Sequence, residues 1–166
     1  MGRAFLIETS ILRGMVIIGI DPGTATTGFG VIEVDGHTRR AIDYGVISTD
    51  KSLEHAKRLQ ILYRDLQHLL NKHAPSIAGV EKLYFSTNVT TAMKVGEARG
   101  VVLLALQQAG VLVHEFTPLQ IKQATTGYGR AKKPQMQQMV QRLLGLDAIP
   151  KPDDAADALA IALAAA

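Results

Sequence analysis

Apolar residues recur at two different spacings along this chain, and the spacings predict strands and helices in a definite order. Residues 16–20 form a short, continuous apolar run that ends at Asp21-Pro22-Gly23, which is typical of a buried strand followed by a turn. Two further strand patterns lie at 29–34 and 40–48, and Asp35-Gly36 between them is a strong hairpin signal. The beginning of the chain therefore predicts three antiparallel strands.

The rest of the chain alternates between helical and extended patterns. Leucine and alanine recur at steps of three and four over residues 53–70, which predicts a helix with one buried face. Gly96 and Gly100 lie within a later helical pattern and are expected to let another element approach closely. The expected elements are a helix over 53–70, a strand over 77–81, a helix over 89–109, a strand over 111–116, a basic loop over 127–133, and helices over 134–144 and 154–165.

This order of elements predicts the fold. Three antiparallel strands followed by strands that alternate with helices indicate a five-stranded mixed sheet with helices on both faces. Such an arrangement is expected of a ribonuclease H-like α/β fold. A length of 166 residues suits one domain, which we place at 15–166, with residues 1–14 as an N-terminal extension.

Composition narrows the possible functions. A hydrophobic content of 47% supports a real core, and the formal net charge of +3 is compatible with a polyanionic partner without demonstrating one. There is no cysteine, which excludes disulfides, zinc–thiolate sites and thiol nucleophiles. The five histidines show no ligand spacing. Without a membrane-length apolar run or a recognisable signal peptide, the chain is expected in the cytoplasm, away from membranes.

Four carboxylates at the ends of apolar segments are the candidate chemistry. Asp21 and Glu81 each end a predicted strand, and Asp154 and Asp157 share one face at the start of the last helix. Two such charges ~4 Å apart repel by roughly 4 kcal/mol at an effective dielectric of about 20, so converging carboxylates need a cation. Oxygen ligands favour Mg²⁺ or Mn²⁺. Taken singly, each acid is equally compatible with a turn, a solvated strand end or a helix N-terminus.

Five segments in a fixed order resemble the RuvC family of Holliday junction resolvases, over residues 15–163. No single segment would be specific, but together they make a chance resemblance improbable. They are Gly19-Ile20-Asp21-Pro22-Gly23, Val80-Glu81, Lys94-Val95-Gly96-Glu97-Ala98-Arg99-Gly100, Gln120-Ile121-Lys122-Gln123 and Asp154-Ala155-Ala156-Asp157-Ala158-Leu159-Ala160.

The resemblance implies a nuclease that uses this acidic set. Asp21, Glu81, Asp154 and Asp157 match the family's catalytic acids, which would bind two Mg²⁺ ions, with Mn²⁺ as a substitute, for two-metal phosphodiester hydrolysis. The products would carry 5′-phosphate and 3′-hydroxyl ends. The resemblance also implies a DNA-binding set, in which Tyr84 stacks on bases and lysines contact phosphate; it comprises Tyr84, Lys122, Lys132 and Lys133.

Further expectations concern partners and departures from the family pattern. The resemblance implies symmetric nicking of four-way junction DNA by a homodimer, with the helix over 89–109 in the interface, and cooperation with RuvA and RuvB in recombination and repair. Residues 1–14 have no counterpart in the family pattern. Asp153 adds an acid beside the motif, and we expect it to cap the last helix rather than bind metal.

Three other functions stay open from the sequence alone. A nucleotide-binding ATPase or sugar kinase of the actin and hexokinase type has a similar first turn, but it clamps nucleotide between two such domains, and this chain has length for one. A non-catalytic junction-binding module would not need all four acids. Another nuclease of the same fold, such as a ribonuclease H, is disfavoured by the segments at 94–100 and 154–160.

Overall fold

The strands of the computed structural model form one mixed sheet. The structure describes residues 14–23, 25–83 and 89–166. Within them the strand order is β3-β2-β1-β4-β5, with β1 antiparallel to β2, β2 antiparallel to β3, and β4 parallel to both β1 and β5. The ribonuclease H-like sheet expected from the sequence is confirmed. The strands are β1 (Met15–Asp21), β2 (Thr26–Asp35), β3 (Thr38–Ser48), β4 (Ile77–Glu81) and β5 (Leu112–Phe116).

Helices cover both faces of this sheet. In the described part of the chain, none is long and apolar enough to cross a membrane. Alternate residues of β1 face opposite layers: Ile18 belongs to the core under the first two helices, and Ile17 to the core under the last ones. The helices are α1 (His55–His73), α2 (Val89–Gln108), α3 (Pro118–Thr126), α4 (Lys133–Leu143) and α5 (Asp153–Ala164).

Helix α3 is the one described helix that the apolar pattern did not predict. Its start is fixed by a capping box, in which Thr117 Oγ1 accepts from the backbone N–H of Gln120 and the Gln120 side chain accepts from the N–H of Thr117. Pro118 occupies the first turn, and Gly127, with φ of 72°, ends the helix. The chain therefore forms a helix between β5 and the basic loop, in a segment for which the sequence predicted no element.

The buried face of α1 differs from the expected one at its start. The helix begins at His55, so Leu53 lies before it and is exposed, and Ala56 is also exposed. Its buried residues are Leu62, Leu66 and Leu70, spaced by four. The predicted apolar stripe is thus correct in the middle of the helix and wrong at its start.

Helix α5 lies unusually close to the sheet because glycines face it. Gly19 on β1 pairs with Gly30 on β2 and with Gly79 on β4, so the three lie side by side across the strands. A Cβ atom at Gly19 would lie 2.0 Å from the carbonyl oxygen of Ala158. The helix backbone therefore rests directly on the strand backbone, and the alanine-rich sequence of α5 permits this contact.

The glycines of α2 are not packed closely against another described element of this chain. Within the described residues, a Cβ atom at Gly96 would meet only the side chain of Leu83, at 3.7 Å, and one at Gly100 would meet nothing within 4 Å. Close approach of another element to these two glycines therefore stays a prediction, since this chain leaves both positions open. Close approach occurs in the sheet instead.

Candidate active site

Two acidic residues meet at one edge of the sheet because their strands are parallel neighbours. Asp21 is the last residue of β1, and Glu81 is the last residue of β4. The register pairs Ile20 with Val80, so the two acids are the next residues on adjacent strands. The carboxyl ends of parallel strands share one edge, which is where open α/β sheets place their ligands.

Helix α5 adds two more carboxylates to this edge. Asp21, Asp154 and Asp157 each offer an oxygen within 4.8 Å of the others. Asp154 and Asp157 are three residues apart on the helix, so they share one face. Glu81, Asp21 and Asp157 line one pocket of about 230 Å³. The four acids selected from the sequence are thus brought together at one site.

Burial and mutual repulsion make these acids reluctant to ionise together. Burial, followed by the charges of Glu81, Asp157 and Asp154, raises the pKa of Asp21 from 3.8 to about 7. Burial and the charge of Asp157 raise the pKa of Glu81, and burial raises that of Asp157. A site with this charge is incomplete without cations. The dense set of oxygen donors fits a divalent metal such as Mg²⁺ or Mn²⁺.

Two lysines partly offset the charge. Lys133, the first residue of α4, places Nζ 3.1 Å from an oxygen of Asp157 and 3.5 Å from one of Asp153. Its pKa is raised: burial opposes the shift, and the hydrogen bond and charge of Asp157 produce it. Lys122, on α3, lines the same pocket, and its charge lowers the pKa of Glu81 against the dominant effect of burial. The pocket therefore combines carboxylates with cations that suit a phosphate.

The orientation of Asp154 depends on a residue that the sequence analysis did not select. Thr26, on β2, donates a hydrogen bond from Oγ1 to Oδ2 of Asp154 at 2.7 Å. This bond occupies one carboxylate oxygen and leaves the other for a ligand. The two residues are 128 positions apart, so no local pattern could have identified the pair, although Thr26 begins the strand just after the turn that follows Asp21.

The remaining candidate residues lie in different positions. Lys132 is exposed at the N-cap of α4 and is not among the residues that line the pocket. Tyr84 lies outside the described residues. The expectation that Asp153 caps α5 is wrong: Pro152 occupies the N-cap, and Asp153 is already helical. Its carboxylate instead accepts from Lys151 at 3.2 Å and from Gln137 at 3.0 Å.

The fold and the site together define a class of protein. Carboxylates at the carboxyl edge of a ribonuclease H-like sheet, with lysines in the same pocket, are the arrangement of a metal-dependent nuclease. The family model described as Crossover junction endodeoxyribonuclease RuvC matches residues 17–165. The chain belongs to the RuvC family.

Individual relatives agree with this assignment. The chain is 54% identical over 152 residues to the crossover junction endodeoxyribonuclease RuvC of Heliobacterium modesticaldum, covering 92% of this chain and 94% of the relative. Thermus thermophilus RuvC is similar in structure, with a TM-score of 0.84, 38% identity and coverage of 90% of this chain and 92% of the other. The same Thermus protein in complex with a Holliday junction substrate gives a TM-score of 0.86 at the same identity and coverage.

Proposed function

We propose that this protein is a Mg²⁺-dependent, structure-selective endonuclease that resolves four-way DNA junctions by nicking two strands symmetrically, in recombination and repair. The observation that carries the proposal is the convergence of Asp21, Asp154 and Asp157 within 4.8 Å, in a chain of the RuvC family. The related Thermus protein has been captured with a Holliday junction substrate. We place the nuclease unit at residues 15–166 and its work in the cytoplasm.

The metal ligands in this proposal are the four acids of the pocket. Asp21, Glu81, Asp154 and Asp157 would hold two Mg²⁺ ions, which Mn²⁺ can replace. When bound, the ions supply an activated water and stabilisation of the leaving 3′-oxygen. The ligands are rigidly supported, since two of them end core strands and the other two lie on a helix packed against those strands.

Three lysines and Tyr84 are the residues proposed to bind the DNA. Lys122 and Lys133 lie in the pocket with the acids, where their ammonium groups attract the scissile phosphate and offset the charge that develops on it. Lys133 also pairs with Asp157 at 3.1 Å, so its ammonium group lies where it would meet a phosphate held beside the acids. Lys132 contacts the DNA backbone next to the scissile phosphate. Tyr84 stacks on bases at the centre of the junction, and such stacking contributes roughly 1–3 kcal/mol per base.

Symmetric cleavage requires two active sites related by a two-fold axis, so we propose a homodimer. Helix α2 supports this with an exposed apolar face. Residues 89, 93, 100 and 104 are separated by one or two helical turns and so share one face of the helix. Val89, Met93 and Leu104 are 69%, 63% and 53% exposed. Gly100 lies among them with nothing within 4 Å of a Cβ at that position, which leaves room for a second copy. RuvA and RuvB are the proposed functional partners.

The decisive test compares labelled four-way, flayed and linear duplex DNA with and without Mg²⁺. Wild-type protein should cut only the four-way junction, and only with metal. Asp21→Asn and Glu81→Gln should each abolish cleavage because each removes a metal ligand, yet both should leave junction binding intact by gel shift. Asp35→Asn, in the exposed β2–β3 turn, is the matched control and should cut normally. Full activity in either ligand variant would contradict the proposal.

A further inference from the structure

Arg99 connects helix α2 to the strand ends that form the active site. Its Nε donates to the backbone carbonyl oxygen of Glu81 at 3.3 Å, and its Nη2 forms an ion pair with the carboxylate of Glu115 on β5. The side chain of Arg99 is only 18% exposed. One guanidinium thus joins α2, β4 and β5 at the point where β4 ends.

This contact falls on the backbone of a proposed metal ligand. The sheet ladder continues past β4 by one bond, from Lys82 N–H to the carbonyl of Phe116 at 2.8 Å. On the other side, β1 leads into Pro22, which has no N–H to donate to the neighbouring strand. The guanidinium supplies a donor to the Glu81 carbonyl here. This bond and the Lys82 bond to Phe116 together hold the peptide group that follows Glu81, and so the backbone from which the Glu81 side chain extends.

Arg99 contacts the backbone carbonyl of Glu81 and not its carboxylate, so its contact with this residue is to the backbone. The Arg99 guanidinium pairs with the carboxylate of Glu115, and this ion pair orients the group so that Nε points at the Glu81 carbonyl. A planar guanidinium can serve both partners at once, whereas an ammonium group lacks this fixed fork.

We propose that Arg99 is a positioning residue that fixes Glu81 for metal binding, with Glu115 as its orienting partner. The inference rests on the proposed function, because it assumes that Glu81 binds the catalytic metal. Partners that orient metal ligands typically change metal affinity by about 10–100-fold when they are removed. Arg99 would therefore act on the metal site through the backbone of Glu81 and not as a ligand.

The test measures metal binding separately from catalysis. Mn²⁺ binding to the DNA-free protein is followed from the free-ion electron paramagnetic resonance signal, and cleavage is titrated with Mg²⁺ at fixed junction concentration. Arg99→Gln should weaken Mn²⁺ binding by about tenfold and raise the Mg²⁺ concentration for half-maximal cleavage by a similar factor. For Arg99→Lys, both the Mn²⁺ affinity and the Mg²⁺ midpoint should lie between those of Arg99→Gln and those of the wild type. Junction affinity without divalent metal should stay within about twofold of wild type.

Arg40→Gln is the matched control, since Arg40 forms an exposed ion pair with Glu33 on the distant β2–β3 hairpin. Arg40→Gln should leave both the Mn²⁺ binding curve and the Mg²⁺ dependence of cleavage unchanged. A merely structural role for Arg99 would lower cleavage at every Mg²⁺ concentration without moving the midpoint, and that result would overturn the proposal. If Arg99→Gln does not fold, Glu115→Gln replaces it. This variant should shift both midpoints in the same direction, by about two- to fivefold, and unshifted midpoints would overturn the proposal.

The two proposals fail in different ways. If the wild-type protein does not cleave junctions with Mg²⁺, the proposed function itself is wrong. If the wild type cleaves but the Arg99 or Glu115 variants keep its metal curves, only the positioning role is wrong.

Discussion

At the scale of single residues, the shifted pKa of Asp21 links metal binding to pH. Its carboxyl has a pKa of about 7 in the folded protein against 3.8 ordinarily, so the neutral form favours folding. This contribution to stability is fully present below about pH 3.8 and is lost as pH rises through about 7. A divalent metal bound at the proposed site would offset this cost, because it would stabilise the ionised form of Asp21.

We therefore expect Mg²⁺ affinity to rise with pH. Below about pH 7, a proton must leave Asp21 for metal to bind, so affinity should fall by about tenfold per pH unit. Isothermal titration calorimetry from about pH 5.5 to about pH 8.5 brackets the Asp21 pKa of about 7. Run in buffers of different ionisation enthalpy, it would measure both the Mg²⁺ affinity and the number of protons released. An affinity independent of pH across this range would contradict the assigned state of Asp21.

A second residue-scale prediction concerns two adjacent threonines of α3. The hydroxyl of Thr125 is buried and has no hydrogen-bond partner among the described residues. Thr126 Oγ1 donates to the Lys122 carbonyl at 2.8 Å and accepts from the N–H of Tyr128 at 3.1 Å. Thr125→Val should therefore raise the free energy of unfolding by about 1 kcal/mol, and Thr126→Val should lower it by about as much.

Urea denaturation would measure both free energies, and the two variants serve as each other's control because they make the same change one residue apart. Equal destabilisation by both would show that the Thr125 hydroxyl is satisfied after all.

At the scale of elements, the site depends on how closely α5 approaches the sheet. A Cβ at Gly19 would lie 2.0 Å from the Ala158 carbonyl oxygen and 2.4 Å from the Ala162 nitrogen, and these backbone atoms cannot move alone. Gly19→Ala should therefore displace the helix that carries Asp154 and Asp157. We expect a loss of about 1–3 kcal/mol or more in the free energy of unfolding, together with weaker Mg²⁺ binding.

Gly45→Ala provides the comparison for this prediction. It makes the same change in a strand, but the new methyl group would meet only the ring of Phe29, at 3.2 Å. A side chain can adjust, so the loss should stay below about 1 kcal/mol. Chemical denaturation and metal titration of both variants would check the pair. Equal behaviour of the two would mean that α5 is not held at the distance that the glycines set.

The same elements show what the sequence could and could not predict. The five strands and the longer helices followed from apolar spacing, because each period reflects one buried face. Helix α3 was missed since its signal is the capping box of Thr117 and Gln120 rather than a periodic stripe. Contacts between residues far apart in the sequence were harder to predict than the elements themselves. Asp21 and Glu81 could be paired through neighbouring strands, but the contacts of Gly19 with Ala158 and of Thr26 with Asp154 join distant parts of the chain.

At the scale of the whole molecule, the proposed pair of symmetric cuts calls for two copies of the acidic site on one junction. The apolar face of α2 is the surface that a second copy would cover. The double variant Met93→Lys, Leu104→Lys should disrupt the proposed dimer contact on this face. Burying each of these apolar side chains contributes about 1.5–3 kcal/mol. We expect dimerisation to weaken by on the order of a hundredfold or more, with the fold of the monomer intact.

Sedimentation equilibrium would measure this association, and a supercoiled plasmid that extrudes a cruciform would report its consequence. Two coordinated nicks linearise the plasmid, whereas a single nick only relaxes it, so the double variant should produce relaxed circles at concentrations where wild type produces linear DNA. Ile42→Lys is the control, because Ile42 is 37% exposed on β3, at the opposite edge of the sheet from β5. A double variant that still linearises the plasmid would exclude α2 from the interface, because coordinated cutting needs both active sites on one junction at the same time.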